Sequence, residues 1–255
     1  MALVNRLFQF LLIFFTFLLI LFSMKYSLKI SDYVIPGPDE LLKEALEVFS
    51  SYISATLNTF MVALIGHFSS ILLAILVAGL ASLKSWAGRL AQTASFNLQA
   101  YPVVAVSPLI FIFFGDGMIS RIIIASIISY FPLLLSFIGI FSTPVPEVEH
   151  FYTSTGRMTT TLAFKIRTAE NMDKLITVIV GSSTLAMVGT IVAEFLAATN
   201  GIGYAIRKAL YQNNLARILV SLFLIGLASS FYLACLEEMG KHVKHRIMGH
   251  RTGSR

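Results

Sequence analysis

Residues 180–206 read VGSSTLAMVGTIVAEFLAATNGIGYAI, and this stretch decides how the rest of the chain is interpreted. It begins as an apolar run with small residues spread along it, contains one acid, Glu194, and ends at a turn with Gly201 and Gly203. Small residues let membrane helices approach closely, whereas a carboxylate inside a membrane is costly and faces protein or water. The stretch therefore predicts a transmembrane helix with a costly carboxylate near one end and a glycine turn out of the bilayer.

Composition places the whole chain among polytopic membrane proteins. Of the 255 residues 56% are hydrophobic and 13% are charged, whereas a soluble domain carries about 25% charged residues. Six uncharged runs each reach the roughly 18–20 residues that a helix needs to cross hydrocarbon. We expect one all-α domain, residues 1–255, with about six transmembrane helices at residues 7–24, 55–83, 88–114, 118–141, 175–198 and 217–236.

The basic residues follow a membrane topology rather than a nucleic-acid surface. The net charge is +6, and twelve of the 19 Lys and Arg residues, Lys84 among them, fall in one set of alternate loops. The positive-inside rule assigns that set, and with it both termini, to the cytoplasm. Arg121 and Arg207 are counted with the outer loops. Basic and aromatic residues do not interleave as they do in nucleic-acid-binding segments.

The sequence also argues against an enzyme. It holds no G-x-x-x-x-G-K-[ST] motif, so the chain is not expected to hydrolyse nucleotide itself. No nucleophile–base pair and no metal-ligand spacing stands out, so we expect no catalytic residue, metal or cofactor in this chain. The single Cys235 excludes a disulfide within the chain. The first apolar run ends without a small-residue cleavage motif and is interpreted as a retained helix.

Small residues recur every fourth position in the second span, at Gly66, Ser70, Ala74, Ala78 and Ser82. This spacing puts them on one helix face and predicts a close helix–helix contact.

Prolines mark two further places. Two prolines only six positions apart, Pro102 and Pro108, predict a kink or break in the third span. Pro36 and Pro38 predict an extended outer segment, after which Asp39 is expected to cap a short surface helix.

Three stretches resemble one family when taken together. They are VAEFLAATNGIGYAI at residues 192–206, SPLIFIFFGDGMISRI at residues 107–122 and VIPGPDELLKEALE at residues 34–47. In order and spacing they resemble the permease subunits of bacterial ABC importers, in the group that takes up nitrate, sulfonates and taurine. The resemblance runs from about residue 30 to residue 238.

The resemblance implies the type I permease fold of ABC importers, as a homodimer in the bacterial inner membrane. The implied partners are two ATPase subunits in the cytoplasm, a solute-binding protein outside and membrane lipid, and the ATPases would consume the ATP. The implied cargo is a small anionic solute of the nitrate, sulfonate or taurine type. Candidate pathway or gate residues are His67, Ser107, Pro108, Glu194, Gly201 and Gly203.

The polar segment of residues 143–174 is the candidate contact to the ATPase. In the family the corresponding loop carries a Glu-Ala-Ala…Gly motif, forms a short helix and docks into a groove on the ATPase. Here the glycine is in place but bulkier side chains replace the alanines, which predicts a wider or more apolar groove, because aromatic residues often anchor interfaces. Its movement is expected to reach the fifth span, residues 175–198. The docking candidates are Glu147, Glu149, His150, Phe151, Tyr152 and Gly156.

Alternatives remain open on the sequence alone. Glu194 is either a pathway or gate residue or a hydrogen-bonding brace between helices. His67 is either a proton or substrate group or a hydrogen-bonding partner of a neighbouring helix. Two other functions also fit: an ATPase-independent transporter or channel that uses these two residues, and a non-transporting membrane scaffold descended from a permease.

Overall fold

The computed structural model describes residues 2–82, 86–98 and 101–252. Within these residues the chain is a bundle of ten helices with no strand, which confirms the predicted all-α fold. The helices are α1 (Ala2–Ser27), α2 (Pro38–Ala81), α3 (Trp86–Leu98), α4 (Val103–Phe114), α5 (Met118–Ser142), α6 (Pro146–Ser154), α7 (Thr160–Glu170), α8 (Met172–Leu196), α9 (Ile202–Tyr211) and α10 (Leu215–Thr252). Among them α1, α2, α5, α8 and α10 are long and apolar enough to cross a membrane.

The predicted third span, residues 88–114, is not one helix in the structure. It is divided into α3 and the short apolar α4. Pro102 is the N-cap of α4 in an extended conformation, so α4 begins directly after this proline, whereas Pro108 is accommodated inside α4. A proline disrupts a helix interior but fits the start of a helix. Of these two prolines, only Pro102 lies at a helix start. The predicted span end at residue 83, the cation at Lys84 and residues 99–100 lie outside the described residues.

The two longest helices, α2 and α10, extend furthest beyond the spans predicted for them. The expected short helix after Asp39 is the beginning of α2, which runs for 44 residues with Gly37, not Asp39, as its N-cap. At 1.5 Å per residue α2 is about 66 Å long, roughly twice the hydrocarbon thickness, so it extends well beyond the bilayer. The last span likewise continues as α10 into the basic tail.

The centre of the bundle is the contact of α2 with α5 and of α5 with α8. The small-residue face of α2 forms the first of these contacts within one chain: Gly66 lies against Ala125, and the hydroxyl groups of Ser70 and Ser129 are 2.9 Å apart. Further toward the C-terminal ends of both helices, Ala78 packs in a cluster with several fully buried side chains of α5. The structure therefore uses this face to join two helices of the same chain.

Candidate functional site

Glu194 is fully buried and joins four helices near the end of the bundle assigned to the outer side. One carboxylate oxygen accepts hydrogen bonds from the Thr59 hydroxyl at 2.7 Å and from the Gly203 N–H at 3.0 Å. The other oxygen accepts from Arg121 Nη1 at 3.1 Å. The Thr59 hydroxyl in turn accepts from the Ile202 N–H at 2.9 Å. A single acid on α8 thus holds together α2, α5 and the beginning of α9; we call Glu194, Arg121, Thr59 and the first turn of α9 the outer cluster.

The glycine turn is shaped to let α9 reach this acid. Gly201 has a φ of +97°, a left-handed conformation that a glycine adopts without strain, and a Cβ there would overlap the Glu194 carboxylate. The first N–H groups of α9 have no partner within their own helix, and Gly201 offers no side chain to cap them. Glu194 and Thr59 supply the missing acceptors, and the negative carboxylate suits the positive end of the helix dipole. The turn therefore fixes α9 through contacts from other helices.

Arg121 is buried inside the bundle, which corrects its assignment to an outer loop. Its residue surface is 5% exposed, and Nη1 donates to both Glu194 and the Asn58 side-chain oxygen, the latter at 2.7 Å. Its Nε has no hydrogen-bond partner among the described residues. The position follows from the first turn of α5 lying beside the last turn of α8, which brings the two charges to the same depth. The sequence did contain a signal for this ion pair. Arg121 lies near the start of one predicted span and Glu194 near the end of the next, so the topology puts the two opposite charges on the same side of the membrane.

Arg207, also counted as an outer-loop charge, caps the end of α8. Its two terminal nitrogens donate to the carbonyl oxygens of Phe195 at 3.0 Å and of Ala198 at 2.6 Å. Its guanidinium lies over the Tyr204 ring, 5.3 Å from the ring centre. The last carbonyls of a helix lack intrahelical partners, so this cation satisfies them and suits the negative helix end. The segment between α8 and α9 is thereby held at both ends.

His67 belongs to a separate polar group deeper in the bundle. Its Nδ1 is 2.7 Å from the Tyr232 hydroxyl, and its Nε2 is 2.8 Å from the Ser182 hydroxyl. Both ring nitrogens are therefore engaged with neighbouring helices α10 and α8. His67 lies eight positions after Thr59 on α2, which puts it about 12 Å further along the helix axis. The structure does not bring His67 and Glu194 into one site.

The two remaining pathway candidates lie on α4, away from Glu194. The buried Ser107 donates its hydroxyl hydrogen bond to the Val103 carbonyl of the same helix at 2.9 Å, and Pro108 is exposed. An apolar contact links α4 to the outer cluster: Ile110 packs in a cluster with Ala193, the residue before Glu194. Of the six candidates, only Glu194, Gly201 and Gly203 come together.

The candidate docking segment forms the short helix α6. Gly156 follows this helix in a left-handed conformation with φ +69°, and Arg157 N–H donates back to the Tyr152 carbonyl, a common way to end a helix. Phe151 is 62% exposed and meets the half-buried Tyr152 edge to face at 5.4 Å. Glu147 and His150 are exposed as well. These side chains form an outward face, which we call the docking face.

Glu149 faces the other way. Its two oxygens accept hydrogen bonds from Arg167 Nε at 2.7 Å and Nη2 at 2.9 Å, while Nη1 of the same arginine donates to the Phe141 carbonyl at 2.7 Å. The Val145 N–H also donates to Glu149. The hydrogen bond from Arg167 lowers the pKa of Glu149, and the reciprocal contact raises the pKa of Arg167. Glu149 is thus engaged within its own chain, and we call Glu149, Arg167 and the Phe141 carbonyl the inner clamp.

These arrangements can hold, release and re-form polar contacts between helices, which is chemistry suited to conformational change. Among the side chains that the structure describes, no three His, Cys, Asp or Glu residues are grouped closely enough to hold a metal ion. The residues that sequence reasoning missed are the partners of the predicted ones: Thr59, Asn58, Arg121, Ser182, Tyr232 and Arg167.

Comparison with known proteins gives a consistent result. Residues 70–248 match the family described as binding-protein-dependent transport system inner membrane component. The chain is 23% identical over 232 residues to the formylaminopyrimidine transport permease protein ThiX of Halalkalibacterium halodurans. The aligned residues cover 89% of this chain and 91% of that protein. It is 31% identical over 145 residues to the riboflavin transport system permease protein RibX of Chloroflexus aurantiacus, covering 55% and 54%. A probable ABC transporter permease protein of Haemophilus influenzae is 30% identical over 110 residues, covering 42% and 43%.

Proposed function

The chain belongs to the family of binding-protein-dependent transport system inner membrane components, and we propose that it forms the translocation pathway for a small nitrogen heterocycle. The family match over residues 70–248 is the observation that carries the assignment to an ABC importer permease subunit. That range contains Glu194, Arg121 and the first turn of α9 from the outer cluster, together with the docking face of α6.

Permeases of this family work with ATPase subunits and with a binding protein, and they are transport subunits rather than enzymes. We propose that the ATPase subunits bind the docking face of α6 and hydrolyse the ATP, so that this chain binds no cofactor of its own. We further propose a homodimer surrounded by lipid in the bacterial inner membrane, with both termini in the cytoplasm. The loop charges support this orientation.

Two observations support a heterocyclic cargo. Two relatives are named for the transport of formylaminopyrimidine and riboflavin, both of which are ring compounds rich in nitrogen. The only charged contact at Arg121 in the described part of the chain is Glu194, so the outer cluster offers no unbalanced cation to attract a small anion. The nitrate-, sulfonate- or taurine-like cargo expected from sequence stays a prediction, and the same experiment tests it.

The test is uptake into proteoliposomes that contain this chain together with the ATPase and binding protein of its own transport system. Labelled formylaminopyrimidine, riboflavin, taurine and nitrate are offered with and without ATP inside the vesicles. We expect ATP-dependent uptake of a heterocycle and none of taurine or nitrate. Uptake of taurine or nitrate would overturn the cargo assignment.

The same vesicles separate the other two functions. Uptake that proceeds equally without ATP would establish an ATPase-independent transporter or channel. A chain that neither retains the ATPase on purification nor supports uptake would be a scaffold. Either result would overturn the assignment to an ATP-driven importer.

A further inference from the structure

One arginine joins the docking helix to the end of a transmembrane helix. The Phe141 carbonyl belongs to the last turn of α5, where carbonyls have no partner within the helix. Arg167 supplies a donor to this carbonyl with one nitrogen and grips Glu149 of α6 with the other two. The planar guanidinium can do this because its donors form a rigid fork, which a lysine lacks. Arg167 thus connects α6, α7 and α5 at one point.

Aromatic packing fixes the same junction. The Phe164 ring of α7 is 4.4 Å from the Phe141 ring of α5, and Phe141 stacks on Phe137 one turn further up at 5.8 Å. Phe137 is fully buried in the largest apolar cluster of the bundle. A displacement of α7 must therefore displace α5 or disrupt a packed core, and packed cores resist continuous deformation.

The other end of α5 carries the outer cluster. Arg121 lies in the first turn of α5 and holds Glu194, which holds the beginning of α9. The 25 residues of α5 span about 37 Å, enough to cross the bilayer from one cluster to the other. The sequence instead predicted that docking movements pass to the fifth span, which is α8. In the structure the Arg167 bonds tie α6 directly to the last turn of α5. The beginning of α8 follows α7 in the chain and packs through Leu175 in the same apolar cluster as Phe164.

We propose that Arg167 is a positioning residue for transport, and that it passes the movement of the docked α6 to α5 and thereby to the outer ion pair. This proposal rests on the proposed function. In this proposal α5 transmits movement from the docking face to the outer cluster. The docking face itself contains neither Arg167 nor Glu149, so binding of the ATPase and coupling to it are separable.

The first variant is Arg167→Gln, with Lys165→Gln as its matched control, because Lys165 is an exposed cation on the same helix. We expect Arg167→Gln to keep the ATPase on purification and to leave ATP hydrolysis without binding protein unchanged. Binding-protein-stimulated uptake should fall about tenfold, in the range of a typical coupling between sites. The control should retain wild-type uptake. Loss of uptake caused by loss of the ATPase would count against the proposal.

Two further variants distinguish this role from simple structural support. Arg167→Lys keeps the cation but cannot bridge Glu149 and Phe141 with a fork of donors, so uptake should recover only in part. The exchange Glu149→Arg with Arg167→Glu restores the ion pair but removes the donor to the Phe141 carbonyl, because a carboxylate only accepts. We expect this exchange to restore the thermal stability and not the uptake. Full uptake in the exchange variant would show that the link to α5 is dispensable.

The decisive experiment places a spin label at the outer end of the molecule in the complete complex, with Cys235 replaced by alanine. One version carries the label at Asp116, beside the beginning of α5, and another at Lys208 on α9; both positions are exposed. We expect ATP with vanadate to change both spectra in the wild type and neither in Arg167→Gln. Wild-type spectral changes in Arg167→Gln would overturn the role of Arg167. No change in the wild type, together with ATP-independent uptake, would instead overturn the proposed function.

Discussion

The outer cluster and the inner clamp use the same chemistry at opposite ends of α5. Each is an Arg–Glu pair that ties a short helix to this long one. In the outer pair the side chains of Arg121 and Glu194 are 6% and 0% exposed. In the inner pair the side chains of Arg167 and Glu149 are 18% and 13% exposed and lie in the segment assigned to the cytoplasm.

The difference in burial gives the two pairs different mechanical properties. A charge left alone in a buried site is strongly destabilising, whereas a pair near water is screened and can exchange its bonds with solvent. The outer ion pair is therefore expected to separate only when the helices that carry it move together. The inner ion pair can transmit movement between α6 and α5, and its hydrogen bonds can rearrange with a small change in free energy.

The largest effect is expected from breaking the outer pair. Arg121→Met leaves the Glu194 carboxylate buried without its cation, which should cost about 3–5 kcal/mol of stability. Thermal unfolding of the purified chain in detergent measures this. The matched control is Arg217→Met, since Arg217 pairs with Glu44 in a more exposed position, with side chains 22% and 18% exposed. An equal loss in both variants would mean that burial does not set the difference.

Glu194→Gln sharpens the same question for function. Glutamine keeps the size of the side chain and removes its charge, so α9 loses the charged acceptor at its first turn. We expect assembly with the ATPase to be kept and uptake to be lost. Full uptake by Glu194→Gln would show that the charge is unnecessary and that the residue serves only as a brace.

A smaller effect is expected at the glycine turn. Gly201→Ala introduces a Cβ that overlaps the Glu194 carboxylate at a φ of +97°, and such backbone strain alone costs about 1–3 kcal/mol. The comparison variant is Gly79→Ala in α2, where a Cβ would meet nothing within 4 Å. Alanine favours a helix interior, so this variant should be neutral or stabilising by up to about 1 kcal/mol. Unfolding curves of the two variants that coincide would contradict the observed closeness of the turn to the acid.

The inner pair should show a small, pH-dependent effect. The folded-state pKa of Glu149 is lowered, mainly by the hydrogen bond from Arg167, so the folded chain binds fewer protons than the unfolded chain in the acidic range. Its stabilisation is therefore complete near neutral pH and disappears as the pH falls below about 4 and through the lowered pKa. We expect Glu149→Gln to be about 1 kcal/mol less stable than the wild type at pH 7. The difference should vanish in acid; a difference that grows in acid would reverse the assigned sign.

The smallest effect on stability is expected at the docking face. Phe151→Ala combined with Tyr152→Ala removes two aromatic side chains from α6 without touching the inner clamp. The unfolding temperature should stay unchanged, while the ATPase should be released from the purified complex because aromatic anchors often dominate an interface. A complex that keeps its ATPase and its uptake would show that this face is not the docking site.

The sequence revealed the residues that conflict with their surroundings, but not their partners. Glu194 stands out because it is an acid in an apolar run, and Gly201 because it ends that run. Thr59 donates to Glu194 from 135 positions earlier in the chain, and no local pattern distinguishes it from other membrane threonines. Arg167 lies in the polar segment of residues 143–174, and no local pattern there points to its bonds with Glu149 and Phe141. The local sequence identifies a polar residue that needs a partner inside the membrane, whereas the packing of distant helices decides which group becomes that partner.

Proline positions show the same limit. Both Pro102 and Pro108 predict a disturbed helix, yet only Pro102 marks a helix boundary in the structure, whereas α4 continues through Pro108 with one backbone hydrogen bond missing. Which of two nearby prolines becomes a helix start depends on how the flanking segments pack, and this is not written in the local sequence.

The most direct measurement is a double-mutant cycle on each pair, made by thermal or denaturant unfolding of the purified chain. One cycle uses Arg121→Met and Glu194→Gln, and the other uses Arg167→Met and Glu149→Gln. We expect an interaction energy of about 2–3 kcal/mol for the outer pair and at most about 1 kcal/mol for the inner pair. Equal interaction energies, or a larger one for the inner pair, would contradict the view that α5 connects a strong buried ion pair to a weaker, more accessible one.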